Sequence, residues 1–142
     1  MTNGLERLVD LAAITDLMSE YAWGIDRRDA AVYRGCFTDV IDVEMPRHSR
    51  VAVAADAWVD EAFALVARYQ ATQHLVSNHR IELRGDAATC RAELQAQHWR
   101  PTGAWKLCGR YENELVRQDG HWKIRRLALA VSSSQRTGDA SR

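Results

Sequence analysis

Apolar residues recur at helical spacing over the first half of the chain and at a spacing of two over the second. Leu5, Leu8, Val9, Ala12, Leu17, Met18, Tyr21 and Ile25 alternate with Glu6, Arg7, Asp10, Asp16 and Glu20, which predicts a helix over residues 5–28. Residues 29–38 predict a short second helix, with Val32, Cys36 and Phe37 inward and Asp29 as N-cap. A first strand is expected at 40–45, stopped by Pro46. Residues 46–55 predict a loop with a short strand. Asp56 is expected to cap a third helix running to about Tyr69, with Trp58, Ala62, Leu65 and Val66 as its stripe.

The period then changes to two. Residues 73–84 predict a strand ended by a turn at Gly85-Asp86. The next strand, 87–99, alternates cleanly: Ala88, Cys90, Ala92, Leu94, Ala96 and His98 share one face, and Thr89, Arg91, Glu93, Gln95 and Gln97 the other. Pro101-Thr102-Gly103 is a turn signal. A third long strand is expected over 104–117, with Trp105, Leu107, Tyr111 and Leu115 in phase. Asp119-Gly120 is a hairpin signal leading to a last strand, 121–131. Residues 132–142 are polar and are expected to be a disordered tail.

Helices followed by a meander of strands predict an α+β fold, three N-terminal helices packed on one face of a mostly antiparallel sheet. The 142 residues suit one domain, placed at 1–131, and no repeat or linker interrupts it. Nineteen basic residues balance nineteen acidic ones. With no basic stripe, nucleic acid is not expected as a partner, because phosphate binding needs concentrated Lys and Arg. No apolar run reaches the roughly 20 residues of a membrane span, and the N-terminus has no signal-peptide pattern, so a cytoplasmic location is expected. Cys36, Cys90 and Cys108 are widely spaced and suggest buried thiols rather than a disulfide or zinc site. No metal site is expected, since histidines and carboxylates do not fall at ligand spacing within one element.

Few residues stand out as chemistry. His98 lies in phase with Ala92, Leu94 and Ala96 and points to the apolar side of its strand, beside small residues that leave room for a pocket. By itself it fits the commoner case of a buried histidine bonded to a neighbour. His74 shares its phase with Val76, Asn78 and Arg80, while Leu75, Ile81 and Leu83 make the opposite face look like core, so periodicity does not send it inward. His79, His121 and His48 look exposed. Asp26 stands near the C-terminal end of the first helix, where a carboxylate opposes the helix dipole. Breaking that local rule makes it a functional candidate, with a solvated turn residue as the competing account. Tyr21 lies about one and a half turns earlier and could share a wall with Asp26, or be ordinary core. Nucleotide-binding glycine loops, nucleophile elbows and zinc-protease motifs are absent from the sequence.

Four segments carry a resemblance: AAITDLMSEYAWGIDRRD, TQHLVSNHRIEL, AELQAQHWR and GRYENELVRQDGHWKIRRL. Together they resemble the SnoaL-like branch of the nuclear transport factor 2-like superfamily over about residues 5–131. The similarity is greatest to the group that includes scytalone dehydratase, bile-acid 7α-dehydratase and hexachlorocyclohexane dehydrochlorinase. The resemblance implies a cone-shaped α+β barrel. It places the family's catalytic aspartate on Asp26, its histidine on His74 and a second histidine on His98, with Tyr21 at a position held by tyrosine or lysine. Tyr111 falls near a pocket asparagine and Met45 near a first-strand tyrosine. Trp23 and Leu94 complete the expected substrate-binding set.

What the resemblance implies is a lyase of the dehydratase kind, or an isomerase, acting without a cofactor on a small, largely apolar cyclic molecule. His74 would be the base and Asp26 its orienting partner, with Tyr21 and His98 polarising a substrate oxygen. The alternatives are a non-catalytic small-molecule-binding or assembly module and a polyketide cyclase-like relative. The resemblance also implies a homodimer or homotrimer paired through the outer sheet face.

Overall fold

The computed structural model describes residues 3–138. Its elements run α1 (Gly4–Asp26), α2 (Ala30–Gly35), β1 (Phe37–Glu44), β2 (Arg50–Ala54), α3 (Ala55–Val66), β3 (Ala71–Arg84), β4 (Ala87–Arg100), β5 (Gly103–Gln118) and β6 (His121–Gly138). The fold is α+β: three helices lie on one six-stranded sheet of order β2-β1-β6-β5-β4-β3. The sheet is mixed, because β1 runs parallel to β6 while the other pairs are antiparallel. It curves around the helices without closing, so the expected barrel is an open one, with β2 and β3 as its edges.

The concave face is made by the alternation in the sequence. Ala88, Cys90, Ala92, Leu94, Ala96 and His98 of β4 are all buried, as are Leu107, Tyr111 and Leu115 of β5. They meet Ile14, Met18, Tyr21 and Ile25 of α1, Tyr33 of α2 and Trp58 of α3 in one core. The β5–β6 hairpin turns on Asp119 and Gly120, at φ 51° and 79°, the left-handed pair that matches the twist of two-residue hairpins. Asp29 caps α2 by accepting from the Val32 N–H.

Several expectations are corrected. Leu5, Leu8 and Val9, expected in the buried stripe of α1, are exposed. The inward residue of that turn is Asp10, satisfied by Arg117 and by the indole N–H of Trp122. Asp56 does not cap α3; Ala54 stands at the N-cap and Asp56 pairs instead with Arg34. The short strand expected within 46–55 is β2. Cys108 is exposed rather than buried. The polar segment after residue 131 is not a disordered tail as far as Gly138: it continues β6 and pairs with the start of β5, Lys106 opposite Gln135 and Ala104 opposite Thr137. The remainder of that segment, residues 139–142, lies outside the described residues.

Candidate functional site

The inner face of the sheet and the three helices line an open-mouthed cavity of about 710 Å³, within the range of small-molecule sites. Its wall includes Tyr21, Tyr33 and Trp58 from the helices, and Met45, His74, Leu94, His98, Trp105 and Tyr111 from β1's end and the sheet.

His74 reaches this wall through a defect in β3. Thr72, His74 and Val76 point inward up to Ser77, and His79, Ile81 and Leu83 point inward beyond it. The pairing with β4 steps from Ser77–Glu93 to Arg80–Arg91, so β3 holds one extra residue there. Asn78, at φ 56°, absorbs it as a β-bulge. The phase therefore flips within one strand, which is why a single alternation could not place His74. His79, expected to be exposed, is half-buried for the same reason, and burial pushes its imidazole pKa down.

Asp26 is the last residue of α1, and its carboxylate is fully engaged. Oδ1 accepts from Nδ1 of His74 at 2.7 Å and from the Thr72 hydroxyl at 3.0 Å; Oδ2 accepts from the His74 backbone N–H at 2.7 Å. These donors offset the unfavourable end of the helix dipole. The chain leaves α1 through a Schellman turn, with Asp29 N–H bonded to Gly24 C=O and Arg28 N–H to Ile25 C=O. Arg28 occupies the left-handed position at φ 58°. Its guanidinium folds back onto the Ile25 carbonyl, the Val66 carbonyl and the Thr72 hydroxyl. Arg28 thus clamps helix end, third helix and edge strand around Asp26. Neither Thr72 nor Arg28 was flagged by sequence pattern, since a left-handed arginine has no signature in the sequence.

With Nδ1–H of His74 given to Asp26, the lone pair on Nε2 is the basic group that remains. His98 is 5% exposed and stacks on Trp105 with ring centroids 4.6 Å apart, with His74 at 5.4 Å. Its Nδ1 lies 3.3 Å from the Trp105 carbonyl oxygen, which can only accept, so Nδ1 carries the proton. Burial, then the neighbouring His74, push its pKa down to about 4. His98 is therefore neutral near pH 7 and offers an acceptor at Nε2. That differs from the expectation that it polarises a substrate oxygen, which requires a donor.

The donors come from tyrosines. Trp58 Nε1–H donates to the Tyr33 hydroxyl at 3.2 Å, and the Tyr21 and Tyr111 hydroxyls are 3.1 Å apart. Burial holds all three phenols well above their ordinary pKa. Either hydroxyl of the Tyr21–Tyr111 pair can be the donor, and the Tyr33 ring packs on Tyr21 with centroids 5.2 Å apart. The pair shares one proton between its two oxygens, so the other hydroxyl proton can be offered to the cavity that both residues line. Of the other expected binding residues, Leu94 and Met45 line the cavity. Trp23 does not: it is 57% exposed and lies under the Arg27 guanidinium on the outer side of α1. Among the described residues no cluster of three or more histidines, cysteines and carboxylates could hold a metal ion.

No curated protein matches the chain in sequence. Solved structures do. A protein from Kribbella flavida, Kfla4162, is 25% identical with TM-score 0.86 over 91% of this chain and 95% of its own. A Novosphingobium aromaticivorans protein described provisionally as a scytalone dehydratase is 24% identical, TM-score 0.81, over 91% and 88%. A LinA-type3 hexachlorocyclohexane dehydrochlorinase from Novosphingobium barchaimii LL02 is 21% identical, TM-score 0.81, over 95% and 94%. The neighbours share the fold that the helices and mixed sheet build here. Residues 6–128 match the family model for the SnoaL-like domain, and the chain belongs to that family.

Proposed function

We propose that this chain is a cofactor-independent lyase of the dehydratase type, or an isomerase, acting on a small, largely apolar cyclic molecule. The observation that carries the reading is the Asp26–His74 hydrogen bond of 2.7 Å at the wall of a cavity. A carboxylate that holds Nδ1–H fixes the imidazole tautomer and stabilises the imidazolium formed when Nε2 takes a proton. His74 removes a proton from carbon, and the freed electron pair forms a C=C bond. In an elimination the leaving group departs from the adjacent carbon, and a departing hydroxide takes up the proton to leave as water. In an isomerisation the same proton returns to another carbon. Tyr111, supported by Tyr21, donates to the oxygen on which charge develops. His98 accepts from a substrate hydroxyl. Dehydration and dehydrochlorination, the activities named for two of the structural neighbours, are both eliminations that a base such as His74 can serve, which supports the reading.

The test is proton exchange in D2O on a panel of cyclic hydroxyketones and cyclohexenones, followed by proton NMR. Exchange or elimination by the wild type, lost in both His74→Ala and Asp26→Asn, is the expected result. Equal turnover in the variants would end the proposal. A panel that binds with no exchange at all would point to a non-catalytic binding module.

A further inference from the structure

The outer part of the same cavity has a different character from its floor. Arg47, Arg68, Arg100 and Arg136 all line it, and among the described residues no Asp or Glu does. The chain as a whole is balanced at nineteen charges of each sign. Several arginines elsewhere on the surface sit on carboxylates, Arg50 on Glu61, Arg91 on Glu82 and Glu112, Arg110 on Glu93 and Arg125 on Glu114, although among the described residues Arg7, Arg27 and Arg80 do not. Among the described residues Arg47, Arg68 and Arg100 have no such partner. A cleft walled by one sign of charge in a neutral protein focuses its field on an incoming ligand of the opposite sign.

Two buried donors at this end add an independent observation. Among the described residues Nε of Arg100 and Nε1 of Trp105 are buried without a hydrogen-bond partner, and both residues line the cavity. Buried N–H groups are rarely left so unless something with acceptors meets them. The arginines are also held on aromatic rings. The Arg136 guanidinium lies 4.3 Å from the centroid of Trp105, and that of Arg100 lies 5.3 Å from Tyr69. Tyr69 and Trp105 both flank His98, and His98 meets His74. One continuous set of ring contacts therefore leads from the arginines to His74.

From this arrangement we infer that the cavity takes an oxyanion-bearing substrate: a planar, apolar body lying along the aromatic wall, with a carboxylate or equivalent anionic group at Arg100 and the outer arginines. Arg68 and Arg47 are exposed and act on entry, while Arg100 is half-buried and meets the anion directly. The guanidinium fork suits a planar oxyanion, and its hydrogen bonds to one are charge-assisted. The inference rests on the cavity being a small-molecule site, as proposed above, and adds the chemical class of what enters it.

The test compares 2-naphthoate with its neutral methyl ester by calorimetry and tryptophan quenching on the full chain. The wild type is expected to bind naphthoate roughly tenfold or more tightly than the ester, with the advantage shrinking as salt rises. Arg100→Gln and the exposed Arg68→Glu should each erode naphthoate affinity and leave the ester unchanged. Arg110→Glu, on the opposite surface, should change neither. Equal affinity for the two compounds, failure of naphthoate to bind, or naphthoate binding unaffected by both variants would overturn the inference. His74→Ala is expected to keep naphthoate binding while losing proton exchange. A failed acid–base reading is thus distinguishable from a failed anion site.

Discussion

Asp26 holds His74 at two points, accepting its ring Nδ1–H and its backbone N–H at 2.7 Å each, one on each carboxylate oxygen. A carboxylate bound to a side chain alone would let the ring swing with the rotamer. Binding the backbone of the same residue fixes the origin from which the ring projects as well as its tautomer.

Asp26→Asn tests that grip. Asparagine keeps the size but puts an N–H donor on one of the two atoms, where His74 already presents donors on both. The ring must turn or take its other tautomer. Proton-exchange rates should fall about 10²–10⁴-fold with substrate affinity little altered. Long-range proton–nitrogen NMR should show His74 protonated at Nδ1 in the wild type and not in the variant. An unchanged tautomer with unchanged rate would remove Asp26 from the chemistry.

His98 gives a prediction in pH. Its folded pKa is about 4, pushed down first by burial, against about 6.5 in an unfolded chain. Between those values the unfolded state binds the proton that the folded state refuses, so stability rises with pH. The contribution is present above about pH 6.5 and is lost as pH falls toward 4, in total about 3 kcal/mol. Urea denaturation at pH 7, 5.5 and 4.5 should show this slope, and His98→Gln should flatten it. A His98 ring that titrates near pH 6.5 by NMR would contradict the buried, neutral assignment.

Gly24 predicts a packing effect away from the cavity. A Cβ at this position would come within 2.7 Å of the Tyr33 backbone nitrogen and 2.9 Å of its Cα. The α1–α2 approach is therefore backbone against backbone, and α2 has no freedom to yield because Tyr33 is also fixed by Trp58. Gly24→Ala should cost about 1–3 kcal/mol despite the helix propensity gained. It should also disturb the packed rings of Tyr33, Tyr21 and Tyr111, seen as a change in near-ultraviolet circular dichroism. A variant as stable as the wild type would show that the two helices can part.

Much of this was legible from residues alone where one strand keeps one phase. The β4 face from Ala88 to His98 was read from alternation and is buried as expected. The family resemblance put Asp26 and His74 in one site, and the structure brings their side chains together. The pattern failed where the chain departs from regular geometry or where long-range partners change the meaning of polarity. The bulge at Asn78 splits β3 into two phases. Asp10 is buried because Arg117 and Trp122, more than a hundred residues away, satisfy it. The arginines of the cavity mouth come from four separate segments, and only the fold assembles them.

Residues 132–138 show the same limit and supply the last prediction. Their serines and charges match the composition of a disordered tail, yet an edge of β5 with free N–H and C=O groups needs a partner more than it needs apolar side chains. Lys106, Leu107 and Cys108 pair with Gln135, Ser134 and Ser133, and Arg136 lies over the Trp105 ring. Ending the chain after Val131 would strip that partner, uncover Trp105 and remove Ser134 and Arg136 from the cavity wall. The truncated chain should melt several degrees lower and show red-shifted tryptophan emission relative to the full chain. Trp105→Phe in both backgrounds assigns the shift to that ring. Identical melting and emission in the two lengths would mean that the polar segment contributes nothing to the sheet.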